Sequence, residues 1–247
     1  YIATGAVHHV RCAPEELRLA TARDMWPMVC AALDWVLAQR RDDGLVLWAV
    51  TDDDRPWDYA LLTGTASIQH SLRSGAALAA EIGDARPNWL AAADHMVTAI
   101  VERPDAFADK SRWAMDWYYP VLTGALQGPA AADHLARGWP TFVMDGLGVR
   151  CVSDEDWITA SETAEASMAF AAAGLTDQAR DLLAWTRGHR CDDGGYWTGI
   201  AHPQRITFPA DERSSYTAAA VILAADAIVG TSPAARLFRH DVPTGRA

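Results

Sequence analysis

No apolar run in this sequence approaches the roughly twenty residues that a membrane span needs, and no secretory signal is visible at its start. Cysteine is scarce. Cys12, Cys30, Cys151 and Cys191 show neither a C-x-x-C pair nor regular spacing, so free, buried thiols and a cytoplasmic, reducing compartment are expected. A clustered basic face is also missing, and the net charge is -11, which argues against a nucleic-acid partner. The sequence has no nucleophile elbow, no phosphate loop and no metal-ligand cluster. The adjacent pair His8-His9 points two ways, whereas helical ligand pairs sit three or four residues apart. No metal or cofactor is therefore expected. The chain opens at Tyr1 without a Met, which leaves room for helices upstream.

What is present is an ordinary globular composition: 247 residues, 50% hydrophobic and 21% charged, enough to bury one large core over 1–247. Eleven tryptophans require either a wide aromatic core or an aromatic-lined cavity. The chain also repeats itself. Trp57-Asp58-Tyr59-Ala60-Leu61-Leu62-Thr63-Gly64 is matched by Trp117-Tyr118-Tyr119-Pro120-Val121-Leu122-Thr123-Gly124, with five identities in eight positions. Asp42-Asp43-Gly44 with Trp48 is matched by Asp192-Asp193-Gly194 with Trp197, 150 residues on and compatible with three units of about fifty.

Hydrophobic periodicity predicts helices over Met25–Arg40, Asp58–Arg73, Gly75–Glu81, Asn88–Val101, Trp113–Leu126, Ala130–Trp139, Trp157–Ala173, Asp177–Thr186 and Asp211–Val229. Residues 1–23 read as irregular, Phe142–Ser153 as a connector and Gly188–Phe208 as a loop; a short helix at most follows Pro233. Two series alternate. One is rich in Ala, Thr and Ser and opens on aromatic and acidic residues; the other is amphipathic, as inner and outer helix layers require. The expectation is an all-α, single-domain α/α toroid, complete or partial, of four to five helical hairpins.

The two Asp-Asp-Gly loops resemble degenerate QW motifs of the squalene-cyclase and prenyltransferase superfamily, Q-x-x-D-G-x-W. Gln39 is kept in the first loop, with a longer gap to Trp48; His189 stands in its place in the second. The stretch Tyr196-Trp197-Thr198-Gly199 through Tyr216-Thr217-Ala218-Ala219 is similar to actinobacterial prenyltransferase-like proteins. The resemblance implies an α/α toroid and a terpenoid cyclase or prenyltransferase acting on an isoprenoid. Asp154-Glu155-Asp156-Trp157-Ile158-Thr159-Ala160 keeps D-x-D and T-A of the cyclase acid motif, with one residue too many between them, and no Asp-x-Cys zinc pair occurs.

The same architecture serves six-hairpin glycosidases, lyases and sugar epimerases, which need paired carboxyl groups and aromatic platforms. A saccharide substrate is the alternative, and a non-catalytic binding module the third reading. Asp58, Asp116 and Glu162 are the acid–base candidates. Trp57, Tyr59, His70, Trp117, Tyr118, Tyr119, Trp157, Glu165, Glu212 and Tyr216 are the candidate substrate-binding residues. Each has a plain structural alternative. Asp58 and Asp116 suit first-turn charges facing a helix dipole, and His70, beside Ile68 and Leu72, suits a hydrogen-bonded core histidine. Glu162 sits among alanines in a helix, with Glu165 one turn on, which requires a cleft or a partner.

Overall fold

In the computed structural model, residues 1–53, 55 and 57–240 are described; Asp54 and Pro56 of the expected loop, and the polar end after His240, lie outside the described residues. The protein is mostly helical, as its class was read, and compatible with an α/α-toroid-like helical fold. Its contacts divide it into two compact units. One holds Tyr1–Asp109 with Ser232–Leu237, the other Lys110–Thr231 with residues 238–240.

The first unit contains α1 (Ile2–Cys12), α2 (Arg18–Ala38), α3 (Leu62–Ile82) and α4 (Pro87–Glu102). The segment read as irregular is thus largely helix. Its signal is the spacing of Ala3, Ala6, Val7 and Val10, all buried, which places four small apolar side chains on one stripe against α2 and α3. The helix expected from Asp58 begins four residues later, with Leu61 extended as its N-cap, and runs unbroken through Gly75. Gly75 is needed for close packing. A Cβ there would lie 2.4 Å from Leu33 Cδ1 and 3.0 Å from the buried Trp89 ring.

The second unit contains α5 (Ala114–Leu122), α6 (Gly128–Phe142), α7 (Ala160–Ala172), α8 (Thr176–Trp185) and α9 (Ser215–Val229). It also holds a sheet that the sequence did not announce. Strands β1 (Val143–Met144), β2 (Gly148–Arg150), β3 (Trp157–Thr159), β4 (Gly199–Ala201) and β5 (Ile206–Thr207) pair antiparallel in chain order, with Ile158 opposite Ile200. Strands of two or three residues leave no alternation to read. The helix expected from Trp157 is therefore split: its first three residues are β3, and α7 follows without a linker. The last helix starts at Ser215 rather than Asp211, where the Ser214 hydroxyl accepts from the Thr217 amide.

Helix α7 is the centre of this unit, packed against α5, α8 and α9. Eleven of its thirteen residues are buried, which an Ala-rich, almost uncharged helix allows on every face. Ser167 ties it to α8 through the Ala179 carbonyl at 2.8 Å, and Thr163 ties it to β2 by accepting the Val149 amide at 2.9 Å.

The two sequence repeats fare differently. The Asp-Asp-Gly loops are one structure used twice. In each, Asp43 or Asp193 accepts the amide two residues on (Leu45, 3.1 Å; Gly195, 3.0 Å), and Gly44 and Gly194 take positive φ. Arg40 bridges Val46, and Arg190 bridges Tyr196. Their tryptophans differ in setting: Trp48 is 55% exposed, and Trp197 is half-buried under the Arg213 guanidinium. The aromatic repeat has no common structure, since Trp57–Leu61 precede a helix whereas Trp117–Leu122 lie inside one. All four cysteines are free thiols; Cys151 is buried, while Cys12 is exposed rather than buried as expected.

Trp117 stacks on Phe142 at 5.3 Å and meets Phe170 edge-on, with Gly138 against its indole edge. Alanine in a helix interior ordinarily gains up to about 1 kcal/mol over glycine. At Gly138 the new Cβ would fall 2.3 Å from Trp117 Nε1, against a ring that is only 5% exposed and held on two sides. Overpacking at about 1–3 kcal/mol wins. Gly138→Ala is expected to lower the melting temperature in a calorimetric scan; an unchanged or higher value would show that the indole can move aside.

Candidate active site

The segment Thr159-Ala160-Ser161-Glu162-Thr163-Ala164-Glu165 turns from strand to helix at Thr159, whose backbone is extended as the N-cap of α7. Glu162 is then the third helical residue, and Glu165 follows one turn later. The pattern is that of a capping box, S/T-x-x-E, but the Thr159 hydroxyl accepts no backbone amide. It donates instead to Glu162 Oε2, which also accepts from Ser161 at 2.7 Å, while the Cys151 thiol donates to Oε1 at 3.4 Å. Glu162 is half-buried at a helix N-terminus, where the helix dipole favours negative charge.

Glu165 is 7% exposed and is met by three phenols. Tyr118, wholly buried on α5, donates to Oε2 at 2.5 Å. Tyr216, in the first turn of α9, donates to Oε1, and Tyr119 reaches the same oxygen at 3.5 Å. Burial opposes ionisation more strongly than these hydroxyls favour it. The nearby Glu162 opposes it further, so the Glu165 carboxyl is pushed up from 4.5 to about 7. The same burial, with the carboxylates alongside, pushes the Tyr118 and Tyr216 hydroxyls above the usual range for tyrosine. Burial, and then Glu162, raises the Cys151 thiol too, which makes it a hydrogen-bond donor rather than a thiolate.

The structure thus brings Glu162, Glu165, Tyr118, Tyr119 and Tyr216 together, and uses the tyrosines to hold a carboxyl group by their hydroxyls. Asp116 lies half-buried in the first turn of α5, one turn ahead of Tyr119. Trp117 is core. Trp157 is half-buried in β3, donating its Nε1–H to the Phe208 carbonyl at 3.0 Å and meeting that ring edge-on at 5.2 Å. Glu212 is exposed in the loop before α9, where its carbonyl accepts the Thr198 amide. The remaining candidates belong to the first unit. Asp58 is exposed in a bend between Trp57 and Tyr59, whose rings meet edge-on at 5.6 Å, so it opens no helix. His70 is a buried α3 histidine whose Nδ1 and Nε2 face Thr4 Oγ1 and the Leu237 carbonyl, each at 3.2 Å. Sequence reading missed Thr159, Ser161 and Cys151 as partners of Glu162; the Thr-x-x-Glu spacing was the signal that could have found the first.

The α7 helix thus holds one carboxyl near neutrality and a second one turn away, an arrangement compatible with acid–base chemistry. MMP endo-(1,4)-3-O-methyl-alpha-D-mannosidase of Mycolicibacterium hassiacum is 43% identical to this chain over 246 residues, which is 99% of the chain and 67% of the relative. The chain belongs to the family of that endo-mannosidase. No family model matches it. The likeness overturns the resemblance to prenyltransferases and squalene cyclases, and with it the terpenoid-cyclase activity and the isoprenoid substrate. The site agrees with the correction. The supposed cyclase acids Asp154 and Asp156 are exposed and paired with Arg112 (2.7 Å) and Arg150 (3.0 Å), as ordinary surface charges are.

The Glu165 carboxyl binds its proton more tightly folded than unfolded. Its contribution to stability is therefore fully present below about pH 4.5 and is lost as pH rises towards 7, by roughly 3 kcal/mol in all. Urea unfolding at about pH 5 and pH 8 should show a clear fall for the wild type. Glu165→Gln, which cannot ionise, should flatten that fall; an identical pH dependence in both proteins would show that Glu165 titrates normally.

Proposed function

We propose that this chain is an endo-acting glycoside hydrolase that cuts α-(1,4) linkages within chains of 3-O-methylated mannose, as its relative's name describes for that protein. The observation that carries the reading is the Glu165 carboxyl, buried, met by three tyrosine hydroxyls and poised near neutrality, with Glu162 one turn away. Glycoside hydrolysis needs one carboxyl that is protonated at working pH to neutralise the leaving oxygen, and another to serve the anomeric carbon directly or through a water. Glu165 takes the first role. A proton held at about pH 7 is present before the reaction and is released easily during it. Glu162 takes the second, with the Thr159 and Ser161 hydroxyls fixing one of its oxygens.

The aromatic side chains of the same unit suit this substrate. Tyr216 and Phe208 are more than half exposed, and Trp157 is half-buried against Phe208. Such rings offer flat apolar faces to sugar C–H groups and to O-methyl groups, which a strongly polar cleft would disfavour.

The test is hydrolysis of a 3-O-methylated α-(1,4)-mannooligosaccharide, followed through new reducing ends and product length. Internal cutting yields products of intermediate length from the first turnovers; release of single terminal sugars alone would overturn the endo assignment. Glu165→Gln and Glu162→Gln are each expected to lower kcat by about 10²-fold or more, with melting curves that remain cooperative. Wild-type activity should fall as pH rises above about 7, where Glu165 gives up its proton. Retained activity in Glu165→Gln would remove it from the acid role.

A further inference from the structure

Glu165 has the chemistry of a proton donor but little access to a substrate, being 7% exposed beneath three phenols. Of these, Tyr118 is wholly buried and Tyr119 is 3% exposed, whereas Tyr216 keeps 55% of its surface exposed while turning its hydroxyl inward to Glu165 Oε1. We propose that Tyr216 is the group that touches the glycosidic oxygen, relaying to it the proton held by Glu165. The inference rests on the hydrolase reading above.

The hydrogen-bond inventory of the neutral acid leads there. A carboxylate accepts from all the phenols at once, but a protonated carboxyl must place its own hydrogen on an acceptor. The Tyr118 hydroxyl has zero exposure and Glu165 Oε2 as its acceptor, so reversing it would leave a buried donor unmet, at roughly 1–3 kcal/mol. The proton is therefore carried on Oε1 and directed at the Tyr216 oxygen. Tyr216 then accepts, and its own O–H, no longer given to Glu165, is available to the glycosidic oxygen. Tyr119, whose hydroxyl reaches both Glu165 Oε1 and the Tyr216 oxygen, stays beside this exchange.

In the step itself, the Tyr216 O–H bond breaks as its proton passes to the glycosidic oxygen. The bond from that oxygen to the anomeric carbon breaks with its electron pair remaining on oxygen. The Glu165 Oε1–H bond breaks in the same event and its proton restores the Tyr216 hydroxyl, leaving Glu165 as the carboxylate, now accepting from Tyr216. A bond to the anomeric carbon forms from a water that gives its proton to the Glu162 carboxylate, or from that carboxylate itself, in which case a later water, giving its proton to the Glu165 carboxylate through Tyr216, releases the sugar. No phenolate accumulates, which the burial of this hydroxyl would disfavour.

The experiment compares wild type, Tyr216→Phe and Glu165→Gln on two substrates: the methylated mannooligosaccharide, whose leaving group needs a proton, and a dinitrophenyl 3-O-methyl-α-mannoside, whose leaving group does not. Tyr216→Phe should lose about 10²-fold or more in kcat on the saccharide and much less on the aryl glycoside, with KM for the saccharide changed far less than kcat. In mixtures of light and heavy water, wild-type kcat on the saccharide should follow a bowed curve, because two protons move together. That measurement does not depend on the variant folding. A linear dependence overturns the relay, as does equal loss on both substrates, which would mark Tyr216 as packing. Saccharide turnover lost in Glu165→Gln but kept in Tyr216→Phe also overturns the relay while leaving Glu165 as a direct acid. Turnover kept in Glu165→Gln instead sinks the acid assignment itself.

Discussion

A carboxyl group buried in the middle of an alanine-rich helix is the constraint on which the second unit depends. An isolated carboxylate in such a place costs several kcal/mol unless it is protonated or hydrogen-bonded. Glu165 is treated in both ways: its proton is held up to about pH 7, and its oxygens are met by phenols from the two helices that flank α7. Tyr118 and Tyr119 fix α5 against α7, and Tyr216 fixes the start of α9. One polar group therefore links three helices.

The short sheet has a related task. Strand β3 leads straight into α7, so the sheet decides where the helix begins and hence where Glu162 stands. The tie is tight. Gly148 takes φ +134°, and a Cβ on it would lie 2.5 Å from Thr163 Oγ1, the atom that accepts the Val149 amide. With Thr163 also donating to the Thr159 carbonyl at 2.6 Å, the first turn of α7 is held from both sides. A general acid or base misplaced by an ångström loses much of its effect, so a rigid N-terminus fits the role proposed for Glu162.

The false lead from the Asp-Asp-Gly loops has a physical cause. These loops are real repeats with a shared turn, an Asp side chain taking the amide two residues on and a glycine at positive φ. Such a turn follows from what Asp and Gly do locally, and it carries no activity with it. The pairing of Glu162 with Glu165 is different, because two carboxyl groups one turn apart among alanines have no comparable local explanation.

The sequence by itself determined the helical class, most helix spans from α4 onward, and the pairing of Glu162 with Glu165, because these follow from periods of three to four residues along one chain. It overlooked α1, whose stripe of two alanines and two valines is too small to stand out, and the sheet, whose strands are too short to alternate. Only the tertiary structure decided which acids are buried. Asp58 and Glu212 stand exposed in loops, Asp116 lies half-buried in a first turn, and Glu165 is enclosed. Nor could the aromatic residues be sorted beforehand into Trp117 for the core and Tyr118, Tyr119 and Tyr216 for a carboxyl group. Tyr216 meets Glu165 across fifty-one residues of chain, and the raised proton affinity comes from the water that this packing excludes. Burial is a property of the assembled helices, and no stretch of sequence carries it alone.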